Sequence, residues 1–346
     1  MVALTEIARR QIGTFSGRLR SLPILALSVH SACNCRCVMC DIWKANAEKR
    51  EISVGELERH IAGIRRLRVK RVMLTGGEPL LHRNLFALCQ RLRAESVSIT
   101  LVTTGLLVGQ YAEEIALTVG ELVVSIDGPP EVHDEIRRTR GGFDRIARGL
   151  QVLAACARRP HVIARSVVQR ANHAVLAETI QAVRGLAVDR LSFLSADVSS
   201  SAFNRPEPWD APRRSEIAVT RDLLPALSDA IRKVEVACPD LLTRGFVAGG
   251  SASLHRIHEY YSALAGLSRF PSVRCNAPWV SAVLEPGGQL RPCFFHPPYQ
   301  SVESEPFDAA LNAPMACEFR RGLDVATDPT CQRCVCSLSL PPWANA

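Results

Sequence analysis

The sequence predicts an α/β fold, a partial (β/α)6 barrel followed by a small cysteine-rich C-terminal domain. Three observations carry the prediction. Short apolar runs alternate six times with helix-period segments between Ile24 and Leu194, which argues for a parallel sheet with right-handed crossovers. Polar and glycine motifs stand at the ends of those runs, where parallel α/β folds place their ligands. From Cys275 onward the composition shifts to Pro, Gly and Cys with little periodicity, the mark of a unit held by metal rather than by a core.

Taken in order, residues 1–22 read as a helical, partly basic extension. Ile24 to His30 is a buried parallel strand by its run of Leu, Ile and Val. Ser53 with Glu56 three positions later forms a capping box for a helix over 54–66. Strands follow at Arg71–Thr75, Ser98–Thr103, Glu121–Ile126, Val162–Gln169 and Leu191–Leu194. Between them, helices are expected after Leu81 to about Arg93 and over 109–118, 143–156 and 173–185. Residues 196–214 are rich in Ser, Pro and Asp and read as a loop, followed by helices near 215–235 and 251–266. The expected domains are an extension at 1–22, the barrel at 23–200, a helical linker region at 201–274 and the cysteine-rich unit at 275–346.

Composition narrows the class. With 346 residues, 47% hydrophobic and 22% charged, the chain supports one large α/β domain and a smaller unit, and a wholly disordered chain is excluded. No apolar run approaches the ~20 residues of a membrane span. The formal charge is +8, but the arginines are scattered and no dense basic run is interleaved with aromatics, so neither a nucleic-acid nor a membrane partner is expected. Thirteen cysteines, an odd number in a chain too large to need staples, point to metal binding in a reducing, cytoplasmic setting. Ser31-Ala32-Cys33 after a short apolar run has a faint likeness to a lipoprotein signal, yet the run reads equally well as a first strand.

The densest chemistry is Cys33, Cys37 and Cys40, a CxxxCxxC loop directly after the first strand. Soft thiolates select iron–sulfur clusters, and three of them on one loop hold three irons of a cubic cluster. The fourth iron is then open to a ligand from outside the protein. One βα unit later come Gly76, Gly77, Glu78 and Pro79, two glycines that permit close backbone approach beside a carboxylate. Thr103-Thr104-Gly105 ends the third strand and Ser125-Ile126-Asp127-Gly128 the fourth; Ser125 and Asp127, two apart, share a face. His133-Asp134-Glu135-Ile136-Arg137 follows, and Arg165 stands on the fifth strand, suited to an anion or to the surface.

Together these motifs resemble the radical S-adenosylmethionine (SAM) superfamily over residues 24–195. The resemblance implies that SAM chelates the open iron of a 4Fe–4S cluster on Cys33, Cys37 and Cys40. It further implies that Gly76, Gly77, Glu78, Pro79, Thr104, Ser125, Asp127 and Arg165 contact SAM. Thr104 departs from the Asn usual there, Met39 stands where an aromatic residue often precedes the last cysteine, and Cys35 is an additional thiol in the loop. The spacing of the three ligands is unaffected.

Further on, Cys275, the Gly288-x4-Cys293 step and Cys331-Gln332-Arg333-Cys334 resemble the SPASM/twitch group of auxiliary-cluster domains. A hairpin through Pro286-Gly287-Gly288 would bring Cys275 and Cys293 together, and Cys331 and Cys334 would complete a four-thiolate site. The resemblance implies one auxiliary 4Fe–4S cluster; structural zinc is the rival for a set of this kind.

The implied chemistry is reductive cleavage of SAM to a 5′-deoxyadenosyl radical and removal of a hydrogen atom from a substrate C–H. An external one-electron donor such as flavodoxin or ferredoxin is then required. Catalytic side chains are not assigned by the motifs; Cys35, Cys317 and Cys336 are the candidate hydrogen-atom donors. Only about thirty residues precede the cluster loop, which favours a small-molecule substrate, carbohydrate-like or another natural-product intermediate, that is oxidised or epimerised. A peptide-modifying enzyme is the alternative, and a non-enzymatic metal-binding protein the remote one.

Overall fold

The computed structural model describes residues 3–301 and 306–345; residues 1, 2, 302–305 and 346, at the edges of the expected extension and inside the expected C-terminal unit, lie outside the described residues. Six parallel strands alternate with helices in the expected order: β1 (Ile24–His30), β2 (Arg71–Gly76), β3 (Ser98–Thr103), β4 (Glu121–Ser125), β5 (His161–Val168) and β6 (Arg190–Ser195). Three short strands follow, β7 (Ser281–Leu284), β8 (Gln289–Arg291) and β9 (Gln300–Ser301). The chain is α/β with a parallel-strand sheet. It divides into two compact units: residues 1–33, 42–101 and 273–346 in the first, 34–41 and 102–272 in the second.

In the first unit β3, β2 and β1 are parallel neighbours, with Leu25, Leu27, Val72 and Leu74 at 0–1% exposure. Burial on both faces is why β1 reads as an unbroken apolar run. The predicted capping box is present: Ser53 Oγ accepts from Glu56 N–H at 3.1 Å and Glu56 Oε2 accepts from Ser53 N–H at 2.7 Å. It starts the helix Val54–Arg66, whose Leu57, Ile61 and Ile64 are buried one turn apart.

The C-terminal segment adds strands to this sheet. Strand β7 lies parallel to β1, pairing Leu25 with Ala282 and Leu27 with Leu284, and a turn with Gly287 and Gly288 at positive φ sends the chain back as β8. Four residues carry too little pattern to show such a pairing in advance. The N-terminal helix Leu4–Ser16 is tied to the same segment. Arg10 donates to the carbonyls of Pro342 and Ala344, while Arg320, 1% exposed, donates to those of Gly17 and Leu311.

In the second unit β4, β5 and β6 are parallel neighbours. Two helices not anticipated are present, Pro130–Arg137 and Ala211–Ile217; each has Pro in its first turn, where a missing N–H costs nothing. The helix expected over 215–235 is broken. Ala218 and Thr220 are extended and a new helix, Leu224–Ala237, starts with Pro225. Helix Gly250–Leu264 is fixed to the sheet by Tyr261, whose hydroxyl donates to Val168 O at 2.5 Å and accepts from Ala196 N–H at 2.9 Å. Tyr261→Phe leaves two buried backbone groups without that partner, so unfolding in urea should show a loss of about 1–3 kcal/mol; an unchanged midpoint would contradict this anchoring.

Candidate functional site

In the first unit, the end of β1 is clamped to the glycine turn. Gly77 N–H donates to His30 O at 2.7 Å and Glu78 N–H to Ala32 O at 2.9 Å. A Cβ on Gly76 would lie 2.3 Å from His30 O and one on Gly77 2.1 Å from Ala32 O. The space both glycines leave open is therefore filled by the chain's own backbone on its way to Cys33. His30, 2% exposed, accepts from Ala32 N–H at Nδ1 and meets Glu51 through Nε2 at 3.1 Å, which fixes the same three residues from the other side. Cys33 itself is paired in both directions with the Asn46 side-chain amide, at 2.9 Å each way. Asn46 had no sequence signal. Glu78 is fully buried, and its Oε1 accepts from Leu80 N–H at 3.0 Å, capping the short turn that begins with Pro79.

In the second unit lies the rest of the cysteine loop. Cys35, Cys37 and Met39 are buried and Cys40 half-buried. Val38 N–H donates to Ile136 O at 3.0 Å, and Arg213 donates to Val38 O at 2.5 Å. Thr104 Oγ1 bonds Asn34 Oδ1 at 3.0 Å. Trp209 Nε1–H donates to Asp41 Oδ2 at 2.9 Å, with the Arg205 guanidinium 4.4 Å from its ring centre. The stretch read as a loop after β6 thus folds onto the cysteine loop.

Beneath Cys37 is a buried ion pair. Arg137 Nε donates to Asp127 Oδ2 at 2.5 Å and its Nη1 approaches Cys37 Sγ at 3.5 Å. Asp127 is 0% exposed; its other oxygen accepts from Val167 N–H at 2.8 Å and its carbonyl from Asn172 Nδ2 at 2.7 Å. Both carboxylate oxygens are thereby engaged within the protein. A hydrogen bond from Cys35, with the Arg137 charge added, holds the Cys37 thiol down to about 6 against the opposing effect of burial. Cys37 is therefore a thiolate at neutral pH, the form that binds metal. The adjacent His133 is driven down to about 4, chiefly by burial, and stays neutral while accepting from Asp127 N–H. Ser125 and Arg165 stand at one register position on β4 and β5, and Arg165 Nε is buried with no hydrogen-bond partner among the described residues. An orphaned guanidinium N–H there fits an anionic group such as a carboxylate.

The C-terminal cysteines, all in the first unit, are also brought together. Cys293 senses Cys275 and Cys336 electrostatically, Cys331 senses Cys293 and Cys275, and Cys334 senses Cys336, Cys275 and Cys293. Three of the sulfurs accept N–H groups from their own turns: Cys275 from Ala277 at 3.4 Å, Cys293 from His296 and Phe295, and Cys334 from Cys336. Asn276 pairs with Leu340 through both amide atoms, at 2.9 and 2.7 Å, holding the tail beside Cys275. Burial pushes the thiols of Cys293, Cys331 and Cys334 up, Cys334 to about 12, so that a cation is needed to turn them into thiolates. Buried sulfurs supplied with N–H donors fit a thiolate-ligated metal centre. Cys317 is half-buried, its Sγ 3.4 Å from Asn312 O, and Cys336 is exposed.

A family model described as the Radical SAM superfamily matches residues 27–183. Those residues are similar to the radical SAM domain. SAM and a 4Fe–4S cluster are the cofactors of that superfamily, and the cysteine-rich C-terminal region fits an auxiliary cluster. The chain is 28% identical to pre-heme d1 synthase of Dinoroseobacter shibae over 193 residues, 55% of this chain and 47% of that one. It is 34% identical to GTP 3',8-cyclase of Xanthomonas campestris (38% and 42% covered) and 32% identical to the mycofactocin maturase of Mycobacterium tuberculosis (44% and 39% covered). The alignments span less than half the length of these curated relatives. In fold it is similar to Streptococcus suis SuiB bound to the precursor peptide SuiA, with TM-score 0.64, 14% identity and 96% of this chain and 74% of that one covered. It is similar also to anSMEcpe with bound AdoMet, with TM-score 0.61, 16% identity and 90% and 86% covered.

Arg137→Gln removes the cation beside Cys37. In metal-free protein, the alkylation rate of Cys37 followed by mass spectrometry should rise with pH around an inflection near 6 in the parent. The variant's inflection should move upward, with a stability loss of about 3–5 kcal/mol for the stranded Asp127. An unmoved inflection would contradict the role given to Arg137.

Proposed function

We propose that the chain is a SAM-cleaving enzyme that takes a hydrogen atom from an unactivated C–H of a small natural-product or carbohydrate-like substrate and oxidises or epimerises it. The observation that carries this reading is the pairing of a CxxxCxxC loop, its Cys37 Sγ 3.5 Å from the Arg137 guanidinium, with a separate gathering of Cys275, Cys293, Cys331 and Cys334. When bound, SAM and a reduced 4Fe–4S cluster supply an adenosyl radical, and an auxiliary cluster supplies a place for a second electron.

The chain's own residues hold and shield that chemistry. Cys33, Cys37 and Cys40 are assigned to the SAM cluster, and the other four cysteines to the auxiliary one. The hydrogen bond from Cys35, with Arg137 held by Asp127, favours the thiolate of Cys37. The backbone of the Gly76–Glu78 turn is assigned to the SAM amine, and Arg165 with Ser125 to its carboxylate end. Thr104, through Asn34, steadies the cysteine loop. Trp209, Arg205 and Arg213 cover that loop and keep water from it. An external one-electron donor is required, and Cys336, exposed near the C-terminal sulfurs, is the first thiol to mutate for hydrogen-atom return. A peptide substrate is the second reading, favoured by the 32% identity to the mycofactocin maturase.

Anaerobic reconstitution with iron and sulfide should yield about eight iron atoms per chain and 5′-deoxyadenosine from SAM with dithionite. Cys37→Ala should abolish the cleavage, whereas Cys334→Ala should lose the second set of irons and retain the first. Zinc uptake without SAM turnover would contradict the proposal. Stimulation of turnover by a peptide and not by small hydroxylated compounds would favour the second reading.

A further inference from the structure

Three of the four C-terminal sulfurs take N–H donors from their own turns, but Cys331 does not. Its own N–H goes to Asp328 Oδ1 at 2.8 Å, and the next turn is spent on the contact from Cys334 N–H to Cys331 O at 3.1 Å. The side chain that reaches its sulfur comes from 35 residues earlier: His296 Nε2 lies 3.4 Å from Cys331 Sγ. The backbone N–H of the same histidine points at Cys293 Sγ. One residue therefore touches a sulfur on the hairpin and a sulfur on the C-terminal CxxC.

His296 is built in rather than incidental. It is 5% exposed. Its ring meets Phe319 edge-on at 5.1 Å, and its carbonyl accepts from Arg291 at 3.2 Å. Arg291 is itself fixed by Glu285 at 2.8 Å at the foot of the hairpin. Nε2 is also 3.6 Å from Asp328 Oδ1, so the tautomer with hydrogen on Nε2 faces two acceptors, a sulfur and a carboxylate oxygen. That carboxylate, next to Cys331, disfavours added negative charge on the sulfur; the Nε2–H group favours it.

We propose that His296 is the positioning residue of the C-terminal iron–sulfur centre, spanning its two halves through Cys293 and Cys331 and raising its reduction potential through the Nε2–H donated to Cys331. The proposal rests on the reading of that unit as an iron–sulfur site. Hydrogen bonds to cluster sulfurs stabilise the more negative, reduced state, and groups of this kind set the orientation of the ligands they touch. The rival use of the same atoms is direct ligation, since His296, Asp328 and Cys331 lie close enough together to hold one metal ion.

The test uses the full chain with Cys33, Cys37 and Cys40 replaced by Ala, so that the C-terminal centre is seen alone. His296→Gln and His296→Phe are added to it, and each protein is reconstituted anaerobically. Iron content, the midpoint potential by EPR-monitored titration, and nitrogen couplings with 15N-histidine are then measured. The expected result is a 4Fe–4S centre of about four irons in the parent, with the midpoint lowest in His296→Phe and intermediate in His296→Gln. Loss of iron in His296→Phe with retention in His296→Gln also supports the spanning role. Iron-loaded variants with the parent's midpoint overturn the proposal, as does a directly bound histidine nitrogen in the parent. A parent that takes up zinc and no 4Fe–4S centre overturns instead the reading beneath it.

Discussion

A sulfur serves a metal as a thiolate, and a thiolate taken out of water must be met by compensating donors or charge. Each part of the candidate site answers that demand with different means. In the cysteine loop the answer is a hydrogen bond from Cys35 together with a cation. Arg137 sits buried beside Cys37, and Asp127 fixes the guanidinium in place. Asp127 is in turn held by Val167 N–H, so the pair is locked to β5 and does not depend on one flexible side chain. In the C-terminal segment the answer is mostly backbone: N–H groups two or three residues on from Cys275, Cys293 and Cys334 aim at sulfur. Burial disfavours the thiolate forms of Cys293, Cys331 and Cys334, so metal loading there is coupled to proton release.

The parallel sheet places these groups. Strand C-termini gather backbone and side-chain donors on one edge of each unit, as parallel α/β folds do. In the first unit, β1 delivers the chain to Cys33 while β2 ends in the glycine turn clamped to it. Strand β7, paired with β1, ends where the hairpin to Cys293 begins. In the second unit, β4 ends at Ser125, Asp127 follows two residues later, and Arg165 stands on β5 at the register position of Ser125. The glycines of the Gly76-Gly77 pair serve this assembly first. Their missing Cβ atoms admit the backbone of residues 30–32, which takes up the Gly77 and Glu78 N–H groups.

Much of this was legible in the residues. Strand order followed from apolar runs, the start of the second helix from Ser53 and Glu56, and the metal chemistry from cysteine spacing, because each is a local pattern. What escaped depends on partners far away in the chain. Nothing near Asn46 says that its amide will clasp Cys33, and nothing near His296 says that it will reach a sulfur 35 residues on. Arg137 was visible as part of a family-like segment, but its contact with Cys37, 100 residues earlier, was not. The pairing of β7 with β1 was hidden for the same reason: the four residues Ser281–Leu284 carry no address. Helix Ala211–Ile217 was missed because Pro and Asp near its start were read as loop rather than as first-turn residues.

The central claim is that three cysteines of the first loop leave one iron open to SAM. Electron–nuclear double resonance on the reduced, reconstituted protein, with SAM carrying 15N in its amine and 17O in its carboxylate, addresses that iron directly. The account predicts couplings from both labels, present in the parent and in a variant lacking the C-terminal cysteines, and absent when Cys37 is Ala. A reduced 4Fe–4S centre that shows no coupling to either label would contradict it.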